Sequence, residues 1–316
     1  MRPIGFIILR RLLMLIPILI GITLLTFIFI HVAPGNPALS VLGVHASLAQ
    51  IHQFEVANGL TKPLVAQYVN FLSQALQGHL GTTLVTGQPV SHVIATALPV
   101  TAQLTIFALI LAVIIGFPLG AISAYRQGGY FDRFTRLVSV VWVAAPSFWL
   151  ALLAIELFAV RLGVLPSGGY VSFASSPGQW FLSMILPAAS LGFPVGGMLA
   201  RVVRAAFAQE LQEDYVRSAR GLGVSDLRIV ARFIPRNALA APLTVLGLQV
   251  GFLLSGAVLI ETIFSLPGVG QVLINSVQQG DLATVQGIVV VAATLFVLVN
   301  LAVDIVALLL DPRVVA

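Results

Sequence analysis

The chain predicts an all-α integral membrane protein of about six transmembrane helices, and three observations carry that expectation. Hydrophobic residues fill 59% of its 316 positions and charged residues only 9%, against roughly a quarter charged in a water-soluble chain. Apolar runs of about twenty residues recur along it, the length a helix needs to cross about 30 Å of hydrocarbon while satisfying every backbone group internally. The cations gather in the stretches between alternate runs, where they read as topology signals rather than as a nucleic-acid surface. Cysteine is absent, which excludes a disulfide framework and a thiolate metal site.

The first apolar run extends from Leu12 to Ile30 behind Arg10 and Arg11. It outruns the roughly 7 to 15 apolar residues of a secretory signal and no small-residue cleavage site follows, so it reads as a retained anchor. The remaining spans are predicted near 100–123, 137–160, 180–200, 238–260 and 283–303. With the amino terminus inside, the inner segments hold Arg2, Arg10, Arg11, Arg126, Arg133, Arg136, Arg201, Arg204, Arg217, Arg220, Arg228, Arg232, Arg236 and Arg313, fourteen of the sixteen cations. Lys62 and Arg161 alone fall outside. Retention of Lys and Arg on the cytoplasmic face then places both termini there.

No repeat or linker divides the chain, so residues 1–316 read as a single transmembrane domain with two long connections. The outer one, 32–98, is nearly uncharged and carries four of the five histidines, with His31 just before it. It opens with the rigid turn Ala33-Pro34-Gly35-Asn36-Pro37 and is expected to hold short helices on the outer surface. His45 and His52, seven residues apart, would share a helix face. Such a spacing rises about 10 Å, too far for one metal ion; His79 and His92 come no closer, and no metal site is predicted.

The inner connection, 201–237, reads as two short helices meeting at a glycine. Glu210, Glu213 and Asp214 suit the positive end of the first helix, and Gly221 and Gly223 supply a left-handed residue to end it. Ser225 is placed to cap the second. There Leu227, Val230, Ala231 and Ile234 share one face that fits a partner's groove, with Arg228 and Arg232 on another.

These residues resemble the cytoplasmic loop of permease subunits from binding-protein-dependent ABC importers, in which Glu-Ala-Ala, three residues, Gly, nine residues and Ile-x-Leu-Pro follow in order. Gly223 matches the glycine. The Glu-Ala-Ala positions hold Arg217, Ser218 and Ala219, and the closing positions hold Phe233, Ile234, Pro235 and Arg236. The departures are those of the dipeptide, oligopeptide and nickel branch, with its Tyr-Val-Arg-x-Ala-Arg form at Tyr215 to Arg220 and Arg236-Asn237 after it. Resemblance to the first, B-type subunit of that branch extends nearly end to end. It includes Ala33 to Pro37, Leu98-Pro99-Val100-Thr101, Pro146-Ser147-Phe148-Trp149, Glu261 to Gly270, Asp281, Asp304 and Asp311-Pro312-Arg313. Asn36 stands where an acid is commoner.

The resemblance implies a type I importer permease in the bacterial plasma membrane, carrying dipeptides or oligopeptides by alternating access. It also implies a homologous second permease subunit, two ATPase subunits and an extracytoplasmic substrate-binding protein. The implied coupling residues are Tyr215, Arg217, Ala219, Arg220, Leu222, Gly223 and Leu227. No phosphate-cradling Gly-x-x-x-x-Gly-Lys-Ser/Thr loop occurs, since the one lysine, Lys62, precedes Pro63. The chain therefore reads as no enzyme and as needing no cofactor of its own, with ATP and Mg held by the partners.

Glu156 lies inside the third predicted span and is a candidate for the translocation path or for a helix-to-helix hydrogen bond. Arg161, five residues on, falls about 140° away on an α-helix, which predicts no salt bridge and a side chain snorkelling to the interface. Glu261 and Asp304 stand near span ends and read as anchors. Glu261, Pro267 and Gly268 are further path candidates, the glycines of Pro267 to Gly270 shaping a tight turn. Two other readings are a nickel or other small-solute permease of the same family, and an ion-coupled secondary transporter using Glu156 and Asp304 as proton sites.

Overall fold

In the computed structural model the described residues are 4–32, 37–43 and 45–310. The predicted turn at Ala33 to Asn36 and the ending Asp311-Pro312-Arg313 lie outside them, as does the side chain of Asp304. Helix α1 (Ile4–Val32) leads to α2 (Pro37–Leu42), α3 (Leu48–Ala57) and α4 (Leu64–Leu76), then to α5 (Val90–Tyr125) and α6 (Tyr130–Ala144). Next come α7 (Ser147–Ala154), continued as a π-helical turn Ile155–Arg161, and α8 (Pro177–Glu210). After α9 (Asp214–Gly221) and α10 (Asp226–Arg228), a second π turn, Ile229–Phe233, runs into α11 (Ile234–Ala238). The chain closes with α12 (Ala240–Ile263), α13 (Val269–Gln278) and α14 (Leu282–Leu310). Short helices, α2 to α4, thus occur within the 32–98 connection. His45 stands in a turn outside α3, however, so it shares no helix face with His52.

Four described helices, α5, α8, α12 and α14, are long and apolar enough to cross a membrane. Several overrun their predicted spans. At 1.5 Å per residue the 36 residues of α5 reach about 54 Å, beyond the hydrocarbon thickness. The third predicted span differs most. Instead of one helix over 137–160, α6 meets the α7 and π-turn segment at a bend of 102°. Pro146 is the cause: it drives the residue before it out of the helical region, and Ala145 has φ −77° and ψ 125°.

Among the described residues two compact units form, one holding Thr101–Leu266 with residues 299–310, the other holding the described residues from 4 to 100 together with Pro267–Leu298. In the first, α8 is the central element, packed by α6, α7 and α12. Small residues let it approach α5 closely. A Cβ on Gly116 would lie 2.5 Å from the Gly196 carbonyl oxygen, and one on Gly120 would lie 2.5 Å from that of Ala200. Trp142 of α6 stacks on Phe193 of α8 with ring centroids 4.9 Å apart. In the second unit Val90 and Ile94 at the start of α5 bury against Ile288 of α14. Asp281 opens α14 as its cap, accepting from the Thr284 N–H at 3.3 Å and hydroxyl at 2.8 Å.

One buried ion pair fastens the first unit. Asp132 of α6, 1% exposed, accepts from Arg204 Nε at 2.6 Å and Nη2 at 2.9 Å, from the Ser123 hydroxyl at 2.6 Å and from the Gly128 N–H at 3.0 Å. Full satisfaction of both carboxylate oxygens is what makes so enclosed a charge tolerable. In the sequence alone Arg204 counts only as a topology signal, because its partner lies 72 residues away.

The turn after α12 is left-handed at Ser265 (φ 53°), not at a glycine, while Gly268 is extended and caps α13. The Ser265 N–H reaches the Thr262 oxygen and the Leu266 N–H reaches the Glu261 oxygen at 2.8 Å, a two-bond helix stop with buried Leu266 completing it. A non-glycine residue is strained there. Ser265→Gly is accordingly expected to stabilise the folded protein by about 1 kcal/mol, read as a raised midpoint in thermal unfolding of detergent-solubilised protein; a lowered midpoint would contradict the strain.

Candidate functional site

The arginine-rich connection between α8 and α12 is a folded hairpin with a buried root and an exposed tip. Val216 and Ala219 of α9, Ile229 of the π turn and Ile234 and Ala238 of α11 enter one core with Ala121 and Ala124 of α5 and with Leu199, Val203 and Phe207 of α8. This revises the predicted apolar face. Pro235 lacks the N–H that an α-helix would give to the carbonyl four residues back. The strand of helix before it widens into a π turn, and residues five apart then come to one side. Ile229 and Ile234 are buried together, while Leu227 and Ala231 are exposed.

At the tip, Gly223 takes φ +78°, the left-handed geometry expected of it, whereas Gly221 remains within α9. The Val224 N–H bonds the Ala219 oxygen and the Gly223 N–H the Arg220 oxygen, both at 3.0 Å, closing the helix in the same two-bond stop. Ser225 is correctly placed ahead of α10, yet its side chain makes no capping bond. Arg220 Nε reaches Asp226 Oδ1 at 2.9 Å across the turn, and the Tyr125 hydroxyl at the end of α5 donates to Asp226 Oδ2 at 3.2 Å. Exposed pairs of this kind contribute about 0–1 kcal/mol and act here by fixing shape.

A second strap holds the root. The Tyr215 hydroxyl donates to Glu210 Oε2 at 2.6 Å, and Asn237 Nδ2 approaches the same oxygen at 3.5 Å. Burial, with the neighbouring Glu210 carboxylate adding to it, pushes the Tyr215 phenol up to about 12, so it remains a donor at physiological pH. Outward from these straps stand Leu222, 85% exposed, and Leu227, 80% exposed, on either side of Gly223. Arg217 beside them is held by Asp214 and by the Gln212 carbonyl. Two large, exposed apolar side chains carried by a braced turn, with Arg217 and Arg220 close to them in sequence, form a surface suited to docking.

The path candidates fall elsewhere. Glu156 and Arg161 do pair, Nε to Oε1 at 2.9 Å, against the expectation from α-helical geometry, because the segment Ile155–Arg161 is π-helical and stacks residues five apart. Arg161 is therefore a partner rather than a lone snorkelling cation. Glu261 is fully buried and accepts from the Thr101 hydroxyl at 2.6 Å. Pro267 is exposed and Gly268 buried. Among the described residues no three His, Asp or Glu side chains converge on a metal-sized site.

Comparison with known proteins supplies a family. The model of the binding-protein-dependent transport system inner membrane component matches residues 116–316, and the model of the N-terminal part of such membrane components matches residues 4–105. The dipeptide transport system permease protein DppB of Alkalihalophilus pseudofirmus is 39% identical over 325 residues, covering 96% of this chain and 98% of the relative. The glutathione transport system permease protein GsiC of Pectobacterium atrosepticum is 38% identical over 305 residues, covering 96% and 97%. In fold, the chain is similar to the inward-facing MetNI methionine ABC transporter, with a TM-score of 0.58 at 18% identity over 69% of this chain and 96% of the other.

Proposed function

The chain belongs to the family of binding-protein-dependent transport system inner membrane components, and we propose that it is the first permease subunit of an ABC importer for dipeptides or oligopeptides. It is a multi-pass membrane protein, and its family implies ATPase partners and a substrate-binding protein. In the reading proposed here it pairs with a homologous second permease, lies in the bacterial plasma membrane with both termini cytoplasmic, and leaves all ATP and Mg binding to its partners.

The observation that carries this reading is the braced tip at Leu222, Gly223 and Leu227. Tyr215, Arg217, Ala219 and Arg220 root or flank it, so a push on the tip moves α5, α8 and α11 as a body instead of bending a loop. Two such permeases, drawn together at their tips by nucleotide-bound ATPases, would alternate access between the two faces. Peptide cargo is supported by the names of the relatives, dipeptide and glutathione permeases. Nickel chelates remain the second cargo reading within the same family. An ion-coupled carrier would need an ion site of its own, and the candidate carboxylate, Glu156, is paired with Arg161 at 2.9 Å.

Reconstitution decides between the readings. Proteoliposomes containing this chain, a second permease, the ATPases and the binding protein are expected to accumulate radiolabelled dipeptide only with internal-side ATP. Omitting the ATPases should reduce uptake to the background of empty vesicles. Uptake by the chain alone, driven by a proton gradient without ATP, would overturn the proposal.

A further inference from the structure

The single lysine of the chain, Lys62, lines a cavity of about 250 Å³ that holds none of the residues proposed for coupling or for the path. The turn after α3, helix α4, the segment after α4 and the start of α14 enclose it, all within one compact unit. Lys62, His79, Asn58, Asn70, Gln74 and Gln286 give it a polar wall, and Phe27 of α1, Phe71 and Leu282 an apolar one. No carboxylate is among the described residues that line it. Glu55 and Lys62 are the only charged side chains in residues 32–98, so the one cation of that connection stands at this cavity. Asp281, next to Leu282 in sequence, is turned to Thr284 as the cap of α14.

The backbone fixes the polar wall. Helix α3 ends at Gly59 (φ +68°), with the Leu60 N–H on the Glu55 oxygen at 2.8 Å, and α4 ends alike at Gly78 (φ +81°), with the His79 N–H on the Gln74 oxygen at 2.9 Å. Gln67 Nε2 braces the first turn, donating to the Leu60 oxygen at 3.0 Å and to that of Lys62 at 2.8 Å. The lysine stem folds back on this turn, its Cδ 3.9 Å from where a Cβ on Gly59 would stand. Among the described residues no ion pair engages the Lys62 ammonium. Asn58 and Gln74 each give one amide hydrogen to a protein oxygen, that of Phe54 at 2.9 Å and Asn70 Oδ1 at 3.4 Å, and each amide carries a second. A cation among N–H donors, with no acid lining the same space, suits an anion that accepts several hydrogen bonds.

Depth selects the anion. Phe27 lies three residues inside the Ile30 end of the first apolar run, about 5 Å down a helix rising 1.5 Å per residue. Leu282 and Gln286 belong to the first turns of α14, a helix apolar enough to cross a membrane. The cavity thus stands where two apolar helices reach the edge of the hydrocarbon, at the level of the headgroups, which occupy roughly 5–7 Å on each side. We propose that it binds the anionic headgroup of a phospholipid in the leaflet at the Val32 end of α1. Lys62 meets the phosphate diester, the amides of Asn58 and Gln74 meet the remaining headgroup oxygens, and Phe27 and Leu282 lie toward the acyl chains. Phosphatidylglycerol has the matching chemistry, one negative charge with two hydroxyls and no ammonium. A zwitterionic headgroup or a peptide would bring an ammonium to Lys62 and find no carboxylate lining the cavity to receive it.

The full chain purified in detergent, with bound lipid counted by native mass spectrometry, tests this. Phosphatidylglycerol is expected to be retained about fivefold better than phosphatidylcholine at equal concentration, the effect of one cation beside an anionic headgroup. Lys62→Gln should erase that preference and Lys62→Arg keep it. Arg161→Gln, which removes the other cation of the predicted outer side, should leave it intact. Gln74→Leu should lower it about threefold through a lost neutral hydrogen bond. Lys62 and Gln74 are exposed, so the thermal midpoints of these variants should match that of the parent. Equal preference in the parent and Lys62→Gln, or a loss in Arg161→Gln as large as in Lys62→Gln, would overturn the proposal. So would release of the lipid by an equal concentration of glycerol 3-phosphate, which would make this a site for a soluble phosphate, or by a dipeptide, which would make it a site for cargo. ATP-driven uptake is read separately, so failure here leaves the permease reading standing.

Discussion

Gly116→Val is expected to abolish recovery of folded protein, because the first carbon it adds already collides with backbone. That Cβ would lie 2.5 Å from the Gly196 carbonyl oxygen and 3.0 Å from its Cα, and neither atom moves without separating α5 from α8. Residues 108, 112, 116 and 120 of α5 are Ala, Ala, Gly and Gly; residues 192, 196 and 200 of α8 are Gly, Gly and Ala. Small residues at four-residue spacing on both helices bring the backbones close enough for packing to hold them where no hydrophobic drive exists. A graded series separates collision from general damage. Gly116→Ala and Gly120→Ala should each cost about 1–3 kcal/mol. Gly256→Ala should cost less, since its nearest neighbour at 2.9 Å is the end of the Leu191 side chain. Gly21→Ala, with nothing within 4 Å, should be neutral or gain about 0.5 kcal/mol. Thermal unfolding of the purified variants reads the order; equal midpoints for Gly116→Ala and Gly21→Ala would contradict the close crossing.

How far the sequence spoke depended on the kind of physics involved. Lipid imposes length and composition on a helix, so the existence of the apolar helices was legible. Turn chemistry imposes one residue type on one backbone geometry, so Gly223 was legible as the turn between α9 and α10. What failed was angular bookkeeping at 100° per residue. Two π turns shift the phase, one pairing Glu156 with Arg161 and the other burying Ile229 with Ile234. Pro235 was the visible warning for the second, and no comparable residue marks the first. Pro146 announced the break in the third span and was read only as part of a family string. Pairings distant in sequence carried no local signal at all. Thr101 finds Glu261 across 160 residues and Arg204 finds Asp132 across 72. The glycine crossing could have been read from spacing, since four-residue repeats of small residues are a known device of packed membrane helices.

Leu222→Asp is expected to reduce transport to background while leaving the protein folded and inserted. Leu222 is 85% exposed and makes no part of the buried core, so a charge there costs this chain little by itself. In the proposed docking the cost falls on the complex, where an apolar anchor at an interface centre contributes about 2 kcal/mol or more and an unpaired carboxylate in its place repels as well. Recovery of the ATPases in a detergent pull-down should then fall about thirtyfold or more. Gly223→Val attacks the same surface from the backbone. A β-branched residue at φ +78° is strained by about 1–2 kcal/mol, and relief of that strain turns Leu222 and Leu227 away from each other. Gly221→Ala and Ser225→Ala serve as neighbours that should do nothing, the first helical with open space around it, the second without a capping bond to lose. Their normal behaviour beside failed docking at 222 and 223 would localise the contact to the tip. Full ATPase recovery and full uptake with both Leu222→Asp and Gly223→Val would instead mean that force enters the bundle through some other surface.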